Sequence, residues 1–156
     1  GKPEDDKGFN ILSSPPDIFQ SYIENIFSNN PLPGGIPEDD SLSRVYLLRS
    51  TGFVGSFVPF SVFLDDKFIC YFGNEEYILL NPEPGHHILT VQNSSKEVKT
   101  WSSSYSMEVE SGQLTFIKLI QYNDIKFTLQ FIYQLEKEYS ARILLQNLVE
   151  SKCTID

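Results

Sequence analysis

The stretch FSVFLDDKFICYFGNEEYILLNPEPGHHILTVQ, Phe60 to Gln92, decides the fold. Apolar runs of strand length are broken at Asp65-Asp66 and at Asn81-Pro82-Glu83-Pro84-Gly85, with a softer break at Gly73-Asn74-Glu75-Glu76. Asp, Asn, Pro and Gly supply the backbone angles that reverse a chain, and the runs between them are rich in Phe, Ile, Val and Tyr, which fit a pleated surface. The stretch predicts four short antiparallel strands at the centre of a β-sandwich, the first two forming a hairpin about Asp65-Asp66-Lys67.

Working outward, Arg44-Val45-Tyr46-Leu47-Leu48-Arg49 predicts a strand buried on both faces, with an arginine at each end. Between it and Phe60, Thr51-Gly52-Phe53-Val54-Gly55-Ser56 reads as a glycine-punctuated loop. It is not a phosphate cradle, because no Lys-Ser/Thr follows and no helix N-terminus faces it. After the polar loop Asn93–Glu97, the runs Thr100–Glu110 and Gln113–Gln121 flank Ser111-Gly112 and predict a second hairpin. Phe127, Leu129, Phe131 and Tyr133 then alternate with Thr128, Gln130, Ile132 and Gln134, a period-two pattern that requires one buried face.

A helix is expected on either side of the strands. Ser14-Pro15-Pro16-Asp17 offers a capping hydroxyl, proline in the first turn and a carboxylate suited to the helix dipole. Ile18, Phe19, Tyr22, Ile23, Ile26 and Phe27 follow on one helical face, expected to pack beside the sheet. In Glu136–Glu150 the residues Ala141, Leu144, Leu145, Leu148 and Val149 form another stripe, suited to covering the sheet. The chain thus divides into a tether (1–13), an amphipathic helix (14–30), a Pro/Gly/acidic connector (31–42), a sandwich of about seven or eight strands (43–134) and a C-terminal helix packed on it (135–152).

The whole chain has 156 residues, enough for one domain with a real core. Its net charge of −9 repels phosphate backbones and anionic lipid, which argues against nucleic-acid binding and electrostatic membrane docking. No run is long and apolar enough to span a bilayer. The N-terminus lacks a signal-peptide core, and the chain begins at Gly1 rather than Met, so an export signal is expected upstream of it in the precursor. Cys70 and Cys153 fit no metal spacing. They are either a disulfide, worth about 3–5 kcal/mol in the chain-entropy picture, or, for Cys70, an ordinary buried thiol.

The ordered set Arg44–Arg49, Phe53–Ser56, Val62–Asp66, Gly73–Tyr77, Pro84–His87 and Glu108–Gly112, leading into an aromatic strand, resembles the bacterial domain-of-unknown-function family numbered 2846. The likeness runs from about Ser43 to near Cys153. It implies an antiparallel sandwich without an assigned activity, in small exported proteins, many of them lipoproteins. Any lipid-accepting Cys would precede Gly1, so neither Cys70 nor Cys153 is that residue, and the membrane is met only through such an anchor.

Candidate chemistry is sparse. His86 and His87 are adjacent in a strand and point to opposite faces, so they do not share a metal, and the chain has no third His. Asp39-Asp40 lacks the further oxygen ligands of a calcium loop. No Gly-x-Ser-x-Gly elbow is present. Neither a metal nor a cofactor is expected. Trp101, Tyr105, Tyr71 and Tyr77 are the candidate stacking residues for a sugar or peptide, set against the ordinary fate of such rings in a core. The expected function is a non-enzymatic, lipoprotein-like envelope protein acting on a protein or glycan partner. A carbohydrate- or peptidoglycan-binding module is the alternative, and a small hydrolase stands third.

Overall fold

The computed structural model describes residues 14–35, 41–50, 59–93, 103–123, 125 and 129–153. The tether, Asp39-Asp40, the glycine loop at Thr51–Ser56, the loop beyond Asn93, Trp101 and Phe127 lie outside those residues. Helix α1 (Ser14–Asn29) comes first, followed by β1 (Arg44–Arg49), β2 (Phe60–Leu64), β3 (Lys67–Phe72), β4 (Glu76–Leu80) and β5 (Gly85–Asn93). Then come β6 (Ser103–Val109), β7 (Leu114–Asn123), β8 (Leu129–Leu135), helix α2 (Glu138–Leu145) and β9 (Val149–Glu150). The fold is mainly β: a sandwich of one sheet ordered β8-β7-β1-β4-β9 and another ordered β3-β2-β5-β6. Most pairings are antiparallel; β1 with β7 and β4 with β9 are parallel.

β1 shows why the molecule has three layers. All six of its residues are buried. Successive side chains of a strand point to opposite faces, so Val45 and Leu47 enter the core between the sheets, while Tyr46 and Leu48 face outward. Ala141 and Leu145 of α2, with Leu148, cover that outer face, and Tyr46 stacks on Phe116 at 5.2 Å between ring centroids. The inter-sheet core takes Phe60, Val62, Phe72, Ile78, Leu89, Val91, Ile117 and Leu119 among others.

The stretch 60–92 supplies four strands, as its pattern predicts, and it threads both sheets. β2 and β3 form the hairpin, and β5 returns beside β2. β4 crosses to the other sheet and pairs with β1. The two turn residues, Asp65 (φ 52°) and Asp66 (φ 66°), both adopt the left-handed conformation of a two-residue hairpin. Asp65 offsets that cost with two bonds to β5, its N–H donating to Ile88 O (2.8 Å) and its Oδ1 accepting from Ile88 N–H (2.9 Å).

Three expectations need correction. β6 and β7 are not a hairpin. The turn between them is tight, with Gly112 at φ 72° and Gln113 N–H donating to Glu110 O, but β6 pairs with β5 and β7 with β1. Turn chemistry fixes the reversal, whereas burial fixes the partner: β7 buries Phe116 outward as well as Ile117 and Leu119 inward, so it belongs beneath α2. The C-terminal helix is shorter than expected. It stops at Leu145, and Val149–Glu150 add a ninth strand beside β4, held by Val149 N–H to Glu75 O and Ser151 N–H to Tyr77 O. Finally, α1 docks only by its end. Ile26 is buried, yet Ile18, Phe19 and Tyr22 are 68%, 60% and 62% exposed, because α2 already occupies the outer face of the sheet.

Cys70 and Cys153 are bonded, with 4.6 Å between their Cα atoms. The disulfide ties β3 of the four-stranded sheet to the segment after β9 of the other, closing a separation of 83 residues.

Candidate functional site

The three described aromatic candidates, Tyr71, Tyr105 and Tyr77, lie apart from one another. Tyr71 is exposed on edge strand β3, with its ring 5.1 Å from Phe68. Tyr105 is half-buried and stacks on Tyr133 across the sandwich at 5.4 Å. Tyr77 packs into the layer beneath α2. Burial raises the Tyr77 hydroxyl pKa, and the Glu150 carboxylate adds to it. Trp101 falls outside the described residues.

The histidines diverge as adjacent strand residues must. His86 lies opposite Glu108 in the β5–β6 register, with Nδ1 3.0 Å from Oε1 on the surface. His87 is held more firmly: Nδ1 lies 2.6 Å from Asp65 Oδ2 and Nε2 2.6 Å from Glu83 O. A carbonyl only accepts, so Nε2 carries a proton, and the carboxylate draws a second proton to Nδ1. The Asp65 hydrogen bond accordingly raises the His87 pKa above 6.5 against the opposing effect of burial. With both nitrogens engaged, the ring is a clamp between the β2–β3 turn and the β4–β5 connection. It is not a free base. Among the described residues, no group of three or more His, Cys, Asp or Glu is placed to hold a metal.

The concave site lies on the opposite layer. A cavity of about 450 Å³ opens where the end of α1, the residues after it, the start of β1 and α2 converge, lined by Phe27, Leu32, Arg44, Leu114 and Arg142 among others. Its volume falls within the span of small-molecule pockets, about 300–1,000 Å³. A second, of about 330 Å³, sits at the side of the sandwich along β6, β7 and the end of β8.

Arg44 organises the first cavity. It faces the α2 side of β1 by the same alternation that places Tyr46 and Leu48 there. Its Nη1 donates to Gly35 O (2.7 Å) and to Tyr46 Oη (3.0 Å), and its Nη2 to Gly34 O (3.3 Å). The Tyr46 hydroxyl donates in turn to Pro33 O (2.7 Å). Gly34 and Gly35 turn their carbonyls inward at φ 90° and 66°. The φ of 90° at Gly34 is what favours glycine there, and a Cβ would also stand 2.9 Å from Leu79 Cδ2, which would have to shift. Burial raises the Tyr46 pKa, while the neighbouring Arg44 charge opposes the rise.

Arg142 builds the facing wall. Its Nε and Nη2 meet Glu138 Oε2 at 2.9 and 2.8 Å, and its Nη1 donates to Phe27 O and Asn30 O at the end of α1. The guanidinium lies over the Phe27 ring at 4.3 Å. Glu138 thus neutralises Arg142, whereas among the described residues no carboxylate forms an ion pair with Arg44. The sequence marks Arg44 only as a strand end. The available signal was an arginine in phase with the outward apolar residues of a fully apolar strand.

Fold and site together define a two-sheet sandwich with a ligand-sized cavity under its helices. The model of a family described as protein of unknown function, DUF2846, matches residues 39–128, more than half of the chain, and the chain belongs to that family. The match spans β1 to β7, which includes Arg44 and Leu114, and leaves α1, α2, β8 and β9 outside. No curated protein matches the chain.

Proposed function

We propose that this protein is a non-enzymatic, lipoprotein-like module of the bacterial cell envelope that works by protein or ligand contact at its helical face. The observation that carries this reading is the exposed stripe of Ile18, Phe19 and Tyr22, three large apolar side chains on two successive turns of α1. Clustered exposed apolar residues of that kind mark contact surfaces more often than isolated ones do. Membership of the DUF2846 family is compatible with it and assigns no activity. The carbohydrate- or peptidoglycan-binding alternative draws less support, since of the described candidates only Tyr71 is exposed, Tyr105 packs against the inter-sheet core and Tyr77 packs beneath α2. A small hydrolase draws least, because His87 has both ring nitrogens engaged.

The test has two arms. The natural precursor is fractionated in its own cells, where the envelope fraction is expected and a cytosolic location would overturn the reading. In the same cells a photo-crosslinker replaces Tyr22. Discrete adducts are expected that vanish when Ile18 and Phe19 are changed to Lys, and an unchanged adduct pattern would remove α1 from the contact.

A further inference from the structure

We propose that the cavity between α1, α2 and β1 binds a small monocarboxylate with an apolar body, its carboxylate received by Arg44. This rests on the ligand-contact reading above and names the ligand class.

Arg44 is only 6% exposed. A buried guanidinium normally has a carboxylate beside it, because desolvating an unpaired charge is costly. The chain has 21 acidic residues, yet Arg44's described partners are two backbone carbonyls and a phenol. Those three bonds use three of its five N–H groups, and its buried Nε has no partner. The positive charge is therefore uncompensated beside the cavity that Arg44 lines, and one Nη2 N–H stays uncommitted, while Nε is enclosed by protein. A carboxylate complements such a charge and accepts such a donor.

The rest of the lining sets the remainder of the ligand. Phe27, Pro31, Leu32 and Leu114 are apolar, and Leu114 is partly exposed. Arg142 adds no free charge, being tied to Glu138 and to the end of α1. A single uncompensated cation favours a monoanion over a phosphate dianion, and a net charge of −9 disfavours polyanions further. Aromatic acids and medium-chain fatty acids share this chemistry.

The experiment titrates the purified chain with 3-phenylpropionate and with octanoate, followed by calorimetry and by amide resonances. 3-Phenylpropanamide and octanamide serve as neutral matches. Saturable binding is expected, with shifts confined to residues around Phe27, Leu32, Leu114 and Arg142. The amides should bind at least about tenfold more weakly, the factor of one charge-assisted hydrogen bond. The tighter of the two acids tells aromatic from aliphatic ligands. Arg44→Gln should abolish binding. Because Arg44 also holds the Gly34-Gly35 turn, Leu114→Asp provides a second variant: it places a carboxylate at the mouth, leaves Arg44's bonds intact, and should weaken the acids by about tenfold or more. Amides binding as tightly as acids, acids binding Leu114→Asp as they bind wild type, or no saturable shift at the cavity would each overturn the assignment. Such a result, with envelope fractionation and Tyr22 adducts unchanged, removes the ligand and leaves the envelope reading standing. A cytosolic precursor that still binds the acids does the reverse.

Discussion

β1 ends in an arginine at each side, and the two arginines have opposite fates. Arg49 falls on the inner face of the strand and is fully buried, with Nη1 donating to Phe72 O (2.7 Å), Nη2 to Gln121 Oε1 (3.3 Å) and its guanidinium 4.1 Å from the Phe60 ring centroid. Burial lowers its pKa to about 10, with Glu76 opposing the fall. Around that end the chain is stapled: Glu76 Oε1 accepts from Gly73 N–H (2.7 Å) and Ser151 Oγ (2.6 Å), and the Cys70–Cys153 bond lies close in sequence to Phe72 and Ser151. Arg44 falls on the outer face, is held by a glycine turn, and lines a cavity. Four residues of one strand separate a closed end from an open one. The odd spacing between the arginines decides which layer each enters.

The comparison breaks most visibly at the disulfide. Closing 83 residues constrains the unfolded chain, and the bond is expected to contribute about 4 kcal/mol. Replacing both Cys70 and Cys153 with Ser should lower urea stability by that order, and reductant should do the same to wild type but nothing to the variant. Equal stability of the two proteins with and without reductant would show that the Arg49 end is held closed by packing alone.

Next come the arginines themselves. Arg49→Met strands Phe72 O inside the core and leaves a void, so about 2–4 kcal/mol should be lost. Arg44→Met strands carbonyls of Gly34 and Gly35, which are exposed and can turn to water. Its cost should be about 1–2 kcal/mol. Matched denaturation curves check the order, and a larger loss at Arg44 would make that end as structural as the other.

Much of this asymmetry was legible in the sequence, and the illegible part has a physical cause. The strands of 60–92 and the two-sided burial of β1 follow from local alternation and turn residues, which act over a few positions. Which sheet a strand joins depends on what covers its outer face. That is why Ser111-Gly112 read as a hairpin turn when the chain was crossing between sheets. Val149-Glu150 could continue the α2 stripe on paper, and pairing with β4 overrode it. The Arg44 cavity needs Phe27, Arg44, Leu114 and Arg142 together, residues that no local pattern links. The same holds for His87 and Asp65, 22 residues apart, which the sequence presented as two separate turns.

That clamp gives the smallest and most condition-dependent effect. Asp65 keeps a pKa below its ordinary 3.8: burial alone would raise it, but the bonds from His87 and from Ile88 N–H outweigh that, and the charges of His87 and His86 add to the lowering. Its contribution is present above pH 3.8 and is lost as pH falls through the folded value. His87 is raised above 6.5, chiefly by Asp65 and further by Glu83's carbonyl and charge. Its contribution is complete below pH 6.5 and is lost as pH rises through the folded value. Both conditions hold between 3.8 and 6.5. The Asp65 side chain is 45% exposed, so solvent screens the pair. His87→Gln should therefore cost only about 0.5–1 kcal/mol near the middle of that window. The cost should shrink as pH rises through the folded His87 value, where one ring proton is lost and the bond to Asp65 goes with it. Denaturation curves of wild type and variant across pH check this. A stability difference that does not change with pH would mean that His87 works by packing rather than by its charge.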